Sequence, residues 1–359
     1  MEKLKIALIF GGRSGEHEVS IMSASSLEKA IDREKYTVLP IYIQKSGKWM
    51  KGETIEELLA GKGLPVLISP NQKEDTKLTD FFLFSRSNVD AVFPLLHGPY
   101  GEDGTIQGLL EMIALPYVGA DVLGSALGMD KAVMKGSFAD AGLKTVPNLA
   151  FLRKGWEKDP LSIVLEIEKK LKFPVFVKPA NLGSSVGVTK VHANDELKEA
   201  INLACRYDRK FLVEQGINCR EIKVSVLGND RPRASVCGEV ILLREFYDYE
   251  AKYKPGGSKL VIPADLPEDI SNKIRSMALM AYKAIDCGGM GRVDFLLEKE
   301  TNEIYINEIN TIPGFTEMSM YPKLWQVEGM SYKELIDKLI ELALERYRDK
   351  DKNLVSYET

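Results

Sequence analysis

Two segments near the C-terminal end of the chain carry side chains that could hold a metal ion. The first contains Arg292 and Asp294, and the second contains Glu308 and Asn310. If both are neighbouring β-strands, residues two apart share a face, so one face carries carboxylate and amide oxygens beside an arginine. Such oxygens suit Mg²⁺ or Mn²⁺, which keep waters and nucleotide phosphates in their remaining positions, whereas a surface hairpin with solvated charges is the alternative. The apolar residues of the two strands can then serve a core: Val293, Phe295, Ile306 and Ile309.

A glycine-rich loop follows a strand that bears a lysine in the middle of the chain. Lys178 ends the apolar pattern at residues 175–178, and Gly183-Ser184-Ser185-Val186-Gly187 follows it. Glycines let a backbone approach phosphate closely and successive N–H groups form an anion-binding nest, to which Lys178 and Lys131 would add positive charge. The alternative is a tight hairpin turn with two serines. No P-loop motif is present, and Gly11-Gly12-Arg13-Ser14-Gly15 lacks the G-x-G-x-x-G spacing, so it is a weak sign of a dinucleotide loop.

Two further residues, Glu16 and His97, lie next to glycines in predicted loops and could bind a substrate. Glu16 stands just before a predicted helix at Ser20, where it could cap the helix or anchor an ammonium group. His97, one of three histidines, opens a loop at residues 97–104 that contains three glycines and follows a buried-strand pattern. Because open α/β sheets place their sites at the carboxyl ends of strands, we expect His97 to be functional.

A polar and aromatic segment at residues 246–257 has neither helical nor strand periodicity. It is predicted to be a long loop, and long loops inside compact domains often act as lids. Such a lid could carry Lys252 to phosphate and Tyr253 to a substrate. The alternative is a disordered surface excursion, which would not usually hold four aromatic residues between Phe246 and Tyr253.

The elements that must position these residues change in pattern along the chain. Continuous apolar runs at residues 6–10, 38–43 and 91–96 are typical of buried parallel strands and predict a doubly wound α/β domain. The later segments predict a hairpin in the central part of the chain and four helices, at residues 131–141, 161–171, 268–286 and 331–348. We therefore divide the chain into an N-terminal α/β domain, a small central α+β domain and a C-terminal domain with the metal and lid segments, at residues 1–120, 121–213 and 214–359.

Composition excludes several classes of protein. The chain of 359 residues is 45% hydrophobic and 28% charged, which favours a globular protein of two or three domains. A net charge of −4 with interspersed signs argues against a nucleic-acid surface. Four cysteines without a C-x-x-C pair argue against a disulfide framework or structural zinc and favour the cytoplasm. No apolar run is long enough to span a bilayer, and no signal peptide is indicated.

Together the motifs resemble the D-alanine–D-alanine ligase family of ATP-grasp enzymes, from Ile6 to at least Trp325. The resemblance rests on the twelve residues from His97 (H-G-P-Y-G-E-D-G-T-I-Q-G), on residues 291–296 with 306–314, and on residues 247–253 (Y-D-Y-E-A-K-Y). It implies an ATP-grasp fold of three domains, the last with a mixed sheet. It also implies ATP as co-substrate, two D-alanine molecules as substrates, a cytoplasmic homodimer and a role in peptidoglycan precursor synthesis.

The resemblance implies a role for particular residues at the nucleotide. The phosphates would meet Lys131, Lys178, Ser184, Ser185, Val186 and, from the lid, Lys252. Glu214 and the Gln215 backbone would read the adenine edge, Glu221 would bind the ribose, and Phe246 would pack on the base. Phe295 and Asn307 are also assigned to ATP. Asn307 stands where relatives often carry an apolar residue, and Gln215 where lysine is frequent. The ligands of two Mg²⁺ or Mn²⁺ ions would be Asp294, Glu308 and Asn310, with Glu308 bridging.

The implied reaction has two steps. The carboxylate of the first D-alanine attacks the γ-phosphate to give an acyl phosphate, and the amine of the second D-alanine attacks that carbonyl. Glu16 would hold the first ammonium in a hydrogen-bonded trio with Ser184 and Tyr253, while Arg292 and the Gly314 N–H would stabilise the oxyanion. The substrate carboxylates would lie near His97 and Ser319.

The choice of the second substrate is predicted from the lid and from one neighbouring residue. The implied pattern at Tyr253 favours D-alanine as acceptor, while variation among relatives at Met320 leaves D-serine or D-lactate open. A nicotinamide-dependent oxidoreductase is suggested only by the first βα unit, and that function would not explain the metal face. An inactive scaffold is disfavoured because every expected ionic residue is present.

Overall fold

The computed structural model describes residues 2–67, 88–242 and 258–354. The strands of these ranges are β1 (Leu4–Gly11), β2 (Tyr36–Ile43), β3 (Trp49–Lys51), β4 (Leu64–Leu67), β5 (Ala91–Pro94), β6 (Asn148–Leu152), β7 (Val175–Pro179), β8 (Thr189–Val191), β9 (Lys210–Gln215), β10 (Cys219–Leu227), β11 (Arg233–Ala234), β12 (Gly238–Leu242), β13 (Ser258–Val261), β14 (Met290–Glu298) and β15 (Ile304–Asn310). The helices are α1 (His17–Ala30), α2 (Ile55–Leu59), α3 (Thr105–Met112), α4 (Val122–Met129), α5 (Lys131–Asp140), α6 (Arg153–Lys158), α7 (Pro160–Lys170), α8 (Leu197–Tyr207), α9 (Glu268–Ala284), α10 (Met320–Val327) and α11 (Tyr332–Lys350).

The N-terminal sheet has five strands in the order β4-β3-β2-β1-β5. β1 pairs in parallel with both β2 and β5, so the three predicted apolar runs form neighbouring parallel strands, as predicted. The apolar run of β1 is fully buried because both faces of a parallel sheet are covered. β3 pairs antiparallel with both β2 and the edge strand β4, which the sequence patterns did not predict.

The central sheet has four antiparallel strands in the order β6-β9-β7-β8. Helices α7 and α8 pack their apolar faces on it, and Ile167 and Ile201 are fully buried there. The side chain of Asp159 accepts a hydrogen bond from the Ser162 N–H and begins α7, with Pro160 in its first turn. The predicted helices at residues 131–141 and 161–171 are therefore present to within one residue at each end.

The third sheet has six strands, and β14 and the edge strand β15 carry the predicted metal face. β10, β14 and β15 are antiparallel neighbours. The register shifts between β14 and β15, because Asp294 pairs with Glu308 whereas the next residue, Phe295, pairs with Ile306. Asn307 is the extra residue of this β-bulge, and the bulge allows Ile306 and Ile309, three residues apart, both to enter the core.

Apolar clusters connect the sheets across the predicted domain limits. One cluster joins Leu8 of β1 with Leu339 of the C-terminal helix α11, and Phe315 lies within it. The Phe315 ring is fully buried, with its centroid 5.5 Å from that of Phe93 and 5.4 Å from that of Tyr332. Helix α11 begins with a capping box at Ser331, which agrees with the helix predicted at residues 331–348. The segment that follows β15 is thus packed between the N-terminal sheet and the last helix.

Among the residues described, no helix is both long and apolar enough to cross a membrane.

Phe315 offers a test of this packing. Phe315→Ala should lower the free energy of unfolding by about 3–5 kcal/mol, because it leaves a cavity between the N-terminal sheet and α11. Chemical denaturation followed by circular dichroism measures the loss. Phe151→Ala, at a half-buried ring in the central sheet, is the control and should cost less. Equal losses in the two variants would contradict the central position of Phe315.

Candidate active site

The predicted metal face is a row of charges across three strands. Strand pairing sets Asp294 opposite Lys223 on β10 and opposite Glu308 on β15. Asp294 is almost fully buried, and both of its oxygens are bonded to cations. The Arg292 Nε lies 2.7 Å from Oδ1, and the Lys223 Nζ lies 2.7 Å from Oδ2. Burial would raise the pKa of Asp294, but the two cations outweigh it and hold this pKa far below its usual range.

The donor atoms of this face fit a hard divalent ion. Asp294 and Glu308 supply carboxylate oxygens, and the amide of Asn310 lies in the next register row, paired with Arg292. The buried Nδ2 of Asn310 has no hydrogen-bond partner. Turning the amide over would place its oxygen at that position, and two carboxylates with an amide oxygen are a ligand set that Mg²⁺ or Mn²⁺ accepts.

A second buried carboxylate, Glu214 of β9, also lies between two cations. The Lys178 Nζ on β7 is 2.5 Å from one oxygen of Glu214, and the Lys135 Nζ on α5 is 3.1 Å from the other. Burial would raise the pKa of Glu214, but the two ammonium groups lower it to about 2. Lys135 also donates to the Asn307 carbonyl at 3.2 Å, which ties this cluster to the bulge of β15. Sequence reasoning missed Lys135, although it stands four residues after Lys131 and thus on the same helix face.

The glycine-rich loop has the backbone that an anion nest requires. Ser184 and Ser185 both adopt positive φ angles, 48° and 59°, and Gly187 has a φ of 73°. Left-handed residues of this kind turn N–H groups towards one side of a loop. The start of the loop is held by Lys131, whose Nζ donates to the Leu182 carbonyl at 2.7 Å. The same ammonium lies 3.8 Å from Glu308 Oε2, so the loop lies beside the metal face.

Glu16 projects into this loop and does not cap its helix. The Ser184 hydroxyl donates a hydrogen bond to the Glu16 carboxylate, and Glu16 makes no side-chain capping bond to α1. Glycines surround the carboxylate closely, since a Cβ on either Gly98 or Gly183 would lie 2.9 Å from Oε2. Two members of the predicted trio are thus in contact, and Tyr253, the third, lies outside the described residues together with Lys252 and Phe246.

The predicted loop at residues 97–104 forms hydrogen bonds with the backbone that follows β15. His97 Nδ1 donates to the Ile312 carbonyl at 3.0 Å, and Glu102 Oε1 accepts from the Ile312 N–H at 3.3 Å. Burial lowers the pKa of His97 and keeps its imidazole neutral, so its Nε2 accepts from the Ser23 hydroxyl at 3.3 Å. Burial and the Glu16 carboxylate raise the pKa of Glu102 to about 8. In this structure both ring nitrogens of His97 therefore bond within the protein, and the loop fixes Ile312 two residues before Gly314.

The two predicted positions for the second substrate are placed differently. The Ser319 hydroxyl lies near Gly314, since a Cβ on that glycine would be 3.4 Å from it. Ser319 Oγ also accepts from the Thr316 N–H at 3.1 Å. Met320 is buried in a small apolar cluster with Leu324, so its side chain forms part of the core.

The other residues predicted to bind ATP do not all lie on the sheet face that carries Asp294. Phe295 is 1% exposed and packs on the core side of the sheet, whereas Leu296, the next residue, shares the face of Asp294. The structure thus does not place Phe295 among the site residues. Glu221 lies on the site face with its Oε2 3.7 Å from the Lys223 Nζ. The Gln215 side chain accepts from the Lys172 N–H at 3.1 Å, and the Gln215 backbone N–H donates to the Pro147 carbonyl at 2.9 Å.

Comparison with known proteins identifies the family. Residues 5–120 match the family model described as D-ala D-ala ligase N-terminus, and residues 137–341 match the model described as D-ala D-ala ligase C-terminus. A D-alanine–D-alanine ligase of Chloroherpeton thalassium is 55% identical, over 98% of this chain and 99% of that protein. One from Natranaerobius thermophilus is 50% identical, over 99% of both chains.

Solved structures agree with this result. The D-alanine–D-alanine ligase of Coxiella burnetii aligns with a TM-score of 0.82 at 34% identity, over 98% of this chain and 97% of that one. The D-Ala:D-Ser ligase VanG of Enterococcus faecalis aligns with a TM-score of 0.82 at 37% identity, over 95% and 100%. The ATP-grasp fold predicted from the motifs is confirmed, and the chain belongs to the D-alanine–D-alanine ligase family.

Proposed function

We propose that this chain joins two D-alanine molecules into D-alanyl-D-alanine for peptidoglycan precursors, with conversion of ATP to ADP and phosphate. The observation that carries the proposal is the hydrogen bond between Glu16 and Ser184. It brings a carboxylate able to hold an amino-acid ammonium next to a loop built to hold phosphate. A site with this arrangement can present the carboxylate of a bound amino acid to the terminal phosphate of ATP.

The nucleotide would lie between the central and third sheets. Lys178 and Lys131 supply positive charge to its phosphates, and the left-handed Ser184–Ser185 backbone supplies N–H donors. Asp294, Glu308 and Asn310 would hold two Mg²⁺ or Mn²⁺ ions, which neutralise phosphate charge when bound.

In the first step the carboxylate of the first D-alanine attacks the γ-phosphate, an acyl phosphate forms and ADP leaves. Glu16 fixes the ammonium of this substrate, because the glycines around it leave room for a small cationic group beside its oxygens. His97 and Glu102 act indirectly. They bond to the backbone of Ile312 and so fix the position of Gly314, two residues later.

In the second step the amine of the second D-alanine attacks the acyl phosphate carbonyl, and phosphate leaves from the tetrahedral intermediate. Arg292 and the Gly314 N–H would stabilise the negative charge on its oxygen. The pair with Asp294 holds the Arg292 guanidinium in a fixed plane before substrate arrives, as an effective oxyanion donor requires. Ser319, close to Gly314, would bind the carboxylate of the second D-alanine.

D-alanine is the proposed acceptor because two relatives named D-alanine–D-alanine ligase are 55% and 50% identical over nearly the full length of this chain. The two solved structures, a D-alanine–D-alanine ligase at 34% identity and a D-Ala:D-Ser ligase at 37%, do not distinguish between the acceptors. The burial of Met320 in a small apolar cluster supports an indirect role for it at the second substrate. The proposal includes a cytoplasmic homodimer, which rests on the family resemblance alone.

Product analysis tests the proposed reaction. The purified protein with ATP, Mg²⁺ and D-alanine should release phosphate and form D-alanyl-D-alanine, identified by mass, in equal amounts. Parallel reactions with D-serine or D-lactate added should still yield mainly the D-alanine dipeptide. A dominant product that contains D-serine or D-lactate would show that D-alanine is not the preferred acceptor. If phosphate release did not depend on D-alanine, the proposed ligase activity would be refuted.

Glu308→Gln tests the metal face. Loss of one carboxylate from the ligand set should lower turnover by roughly 100-fold or more, because phosphate charge is then poorly neutralised. The fold should persist, as judged by circular dichroism. Glu303→Gln, which removes a charge from a surface pair with Lys144, should leave turnover unchanged. Full turnover in the Glu308 variant would remove this residue from the metal site.

A further inference from the structure

Lys223 is a buried cation beside the proposed metal ligands, and the reaction described above leaves it without a role. Its Nζ lies 2.7 Å from Asp294 Oδ2 and 3.7 Å from Glu221 Oε2. The Lys223 side chain is only 10% exposed, so these carboxylates and not bulk water surround its charge. Sequence reasoning missed it, although it stands two residues after Glu221 on one strand and thus on the same face.

The single negative charge of Asp294 already faces two positive charges without a metal ion. Arg292 and Lys223 together occupy both oxygens of this carboxylate. A divalent ion approaching Asp294 would meet two positive charges at short range in a partly buried site, where Coulomb repulsion is stronger than in water. One of the two cations must move before an ion can share that carboxylate.

Lys223 is better placed to move than Arg292. The guanidinium of Arg292 binds Asp294 through two parallel hydrogen bonds, 2.7 and 2.8 Å long, and is therefore fixed in orientation. The ammonium of Lys223 binds through a single atom on a flexible stem. Glu221 offers that ammonium a second carboxylate on the same strand, within reach of a small rotation.

We propose that Lys223 takes the place of a divalent cation at Asp294 until nucleotide binds, so that the protein binds Mg²⁺ or Mn²⁺ weakly alone and more tightly together with ATP. When the ion arrives, the Lys223 ammonium turns from Asp294 to Glu221, the residue proposed to meet the ribose. One lysine thereby links the metal ligand to the ribose ligand. The inference rests on the proposed function, because it takes Asp294 as a metal ligand.

Binding of Mn²⁺ in the absence of nucleotide tests this role. The free ion is measured by its paramagnetic resonance signal during titration of the full-length protein. Lys223→Met should bind Mn²⁺ roughly tenfold more tightly than the unchanged protein, because the competing charge is gone. Lys223→Arg keeps the charge and should bind as weakly as the unchanged protein. If the Met variant does not fold by circular dichroism, Lys223→Gln provides the same comparison.

Lys35→Met is the matched control. It removes one positive charge from a lysine–aspartate pair of similar length, 2.6 Å to Asp337, elsewhere in the molecule. Mn²⁺ binding by this variant should equal that of the unchanged protein. Equal binding by the Lys223→Met variant and the unchanged protein would overturn the inference, as would tight binding by Lys223→Arg. The titration contains neither ATP nor D-alanine, so failure of the proposed ligation would appear only in the product assay.

Discussion

Two buried carboxylates of the site each lie between two cations, and the arrangement of the sheets around the site depends on these charge clusters. Glu214 lies between Lys135 and Lys178, and Asp294 lies between Lys223 and Arg292. A buried ion without a partner is costly, so each cluster requires its strands to stay in register. Lys135 also bonds the backbone of β15 and thereby joins the central and third sheets. Lys178, which we propose contacts phosphate, is in this way held in place by Glu214.

The N-terminal sheet contributes by holding the end of β15. His97 and Glu102 bind both backbone groups of Ile312, and the Phe315 ring fills the core between β5 and α11. Glu16, which follows β1 of the same sheet, contacts the glycine-rich loop through Ser184. The proposed ammonium anchor therefore comes from the N-terminal part of the chain, and the proposed metal ligands and Arg292 come from the third sheet, but all belong to one connected frame. Such a frame is what a reaction of two amino acids with a phosphate requires, because the reacting groups must meet in a defined geometry.

Sequence patterns predicted the parallel strands, the main helices and the residue types of the site, because apolar periodicity and charged motifs are local signals. They did not predict the β-bulge at Asn307, which depends on pairing between strands. Strand alternation predicted Phe295 in the core, where it lies, whereas the family resemblance had assigned it to the nucleotide. Lys135 and Lys223 were missed because their partners are distant in sequence. The left-handed Ser184 and Ser185 were also unexpected, since glycine and not serine usually signals that conformation.

Transfer of oxygen from substrate to phosphate tests the central claim, that the site presents the carboxylate of a D-alanine to the γ-phosphate. The reaction would use D-alanine whose carboxylate oxygens carry a heavy isotope, with unlabelled ATP and water, and mass analysis of the released phosphate. An acyl phosphate predicts that each phosphate carries one labelled oxygen. Unlabelled phosphate formed together with dipeptide would contradict the proposed geometry, because the carboxylate would then not have attacked the phosphorus.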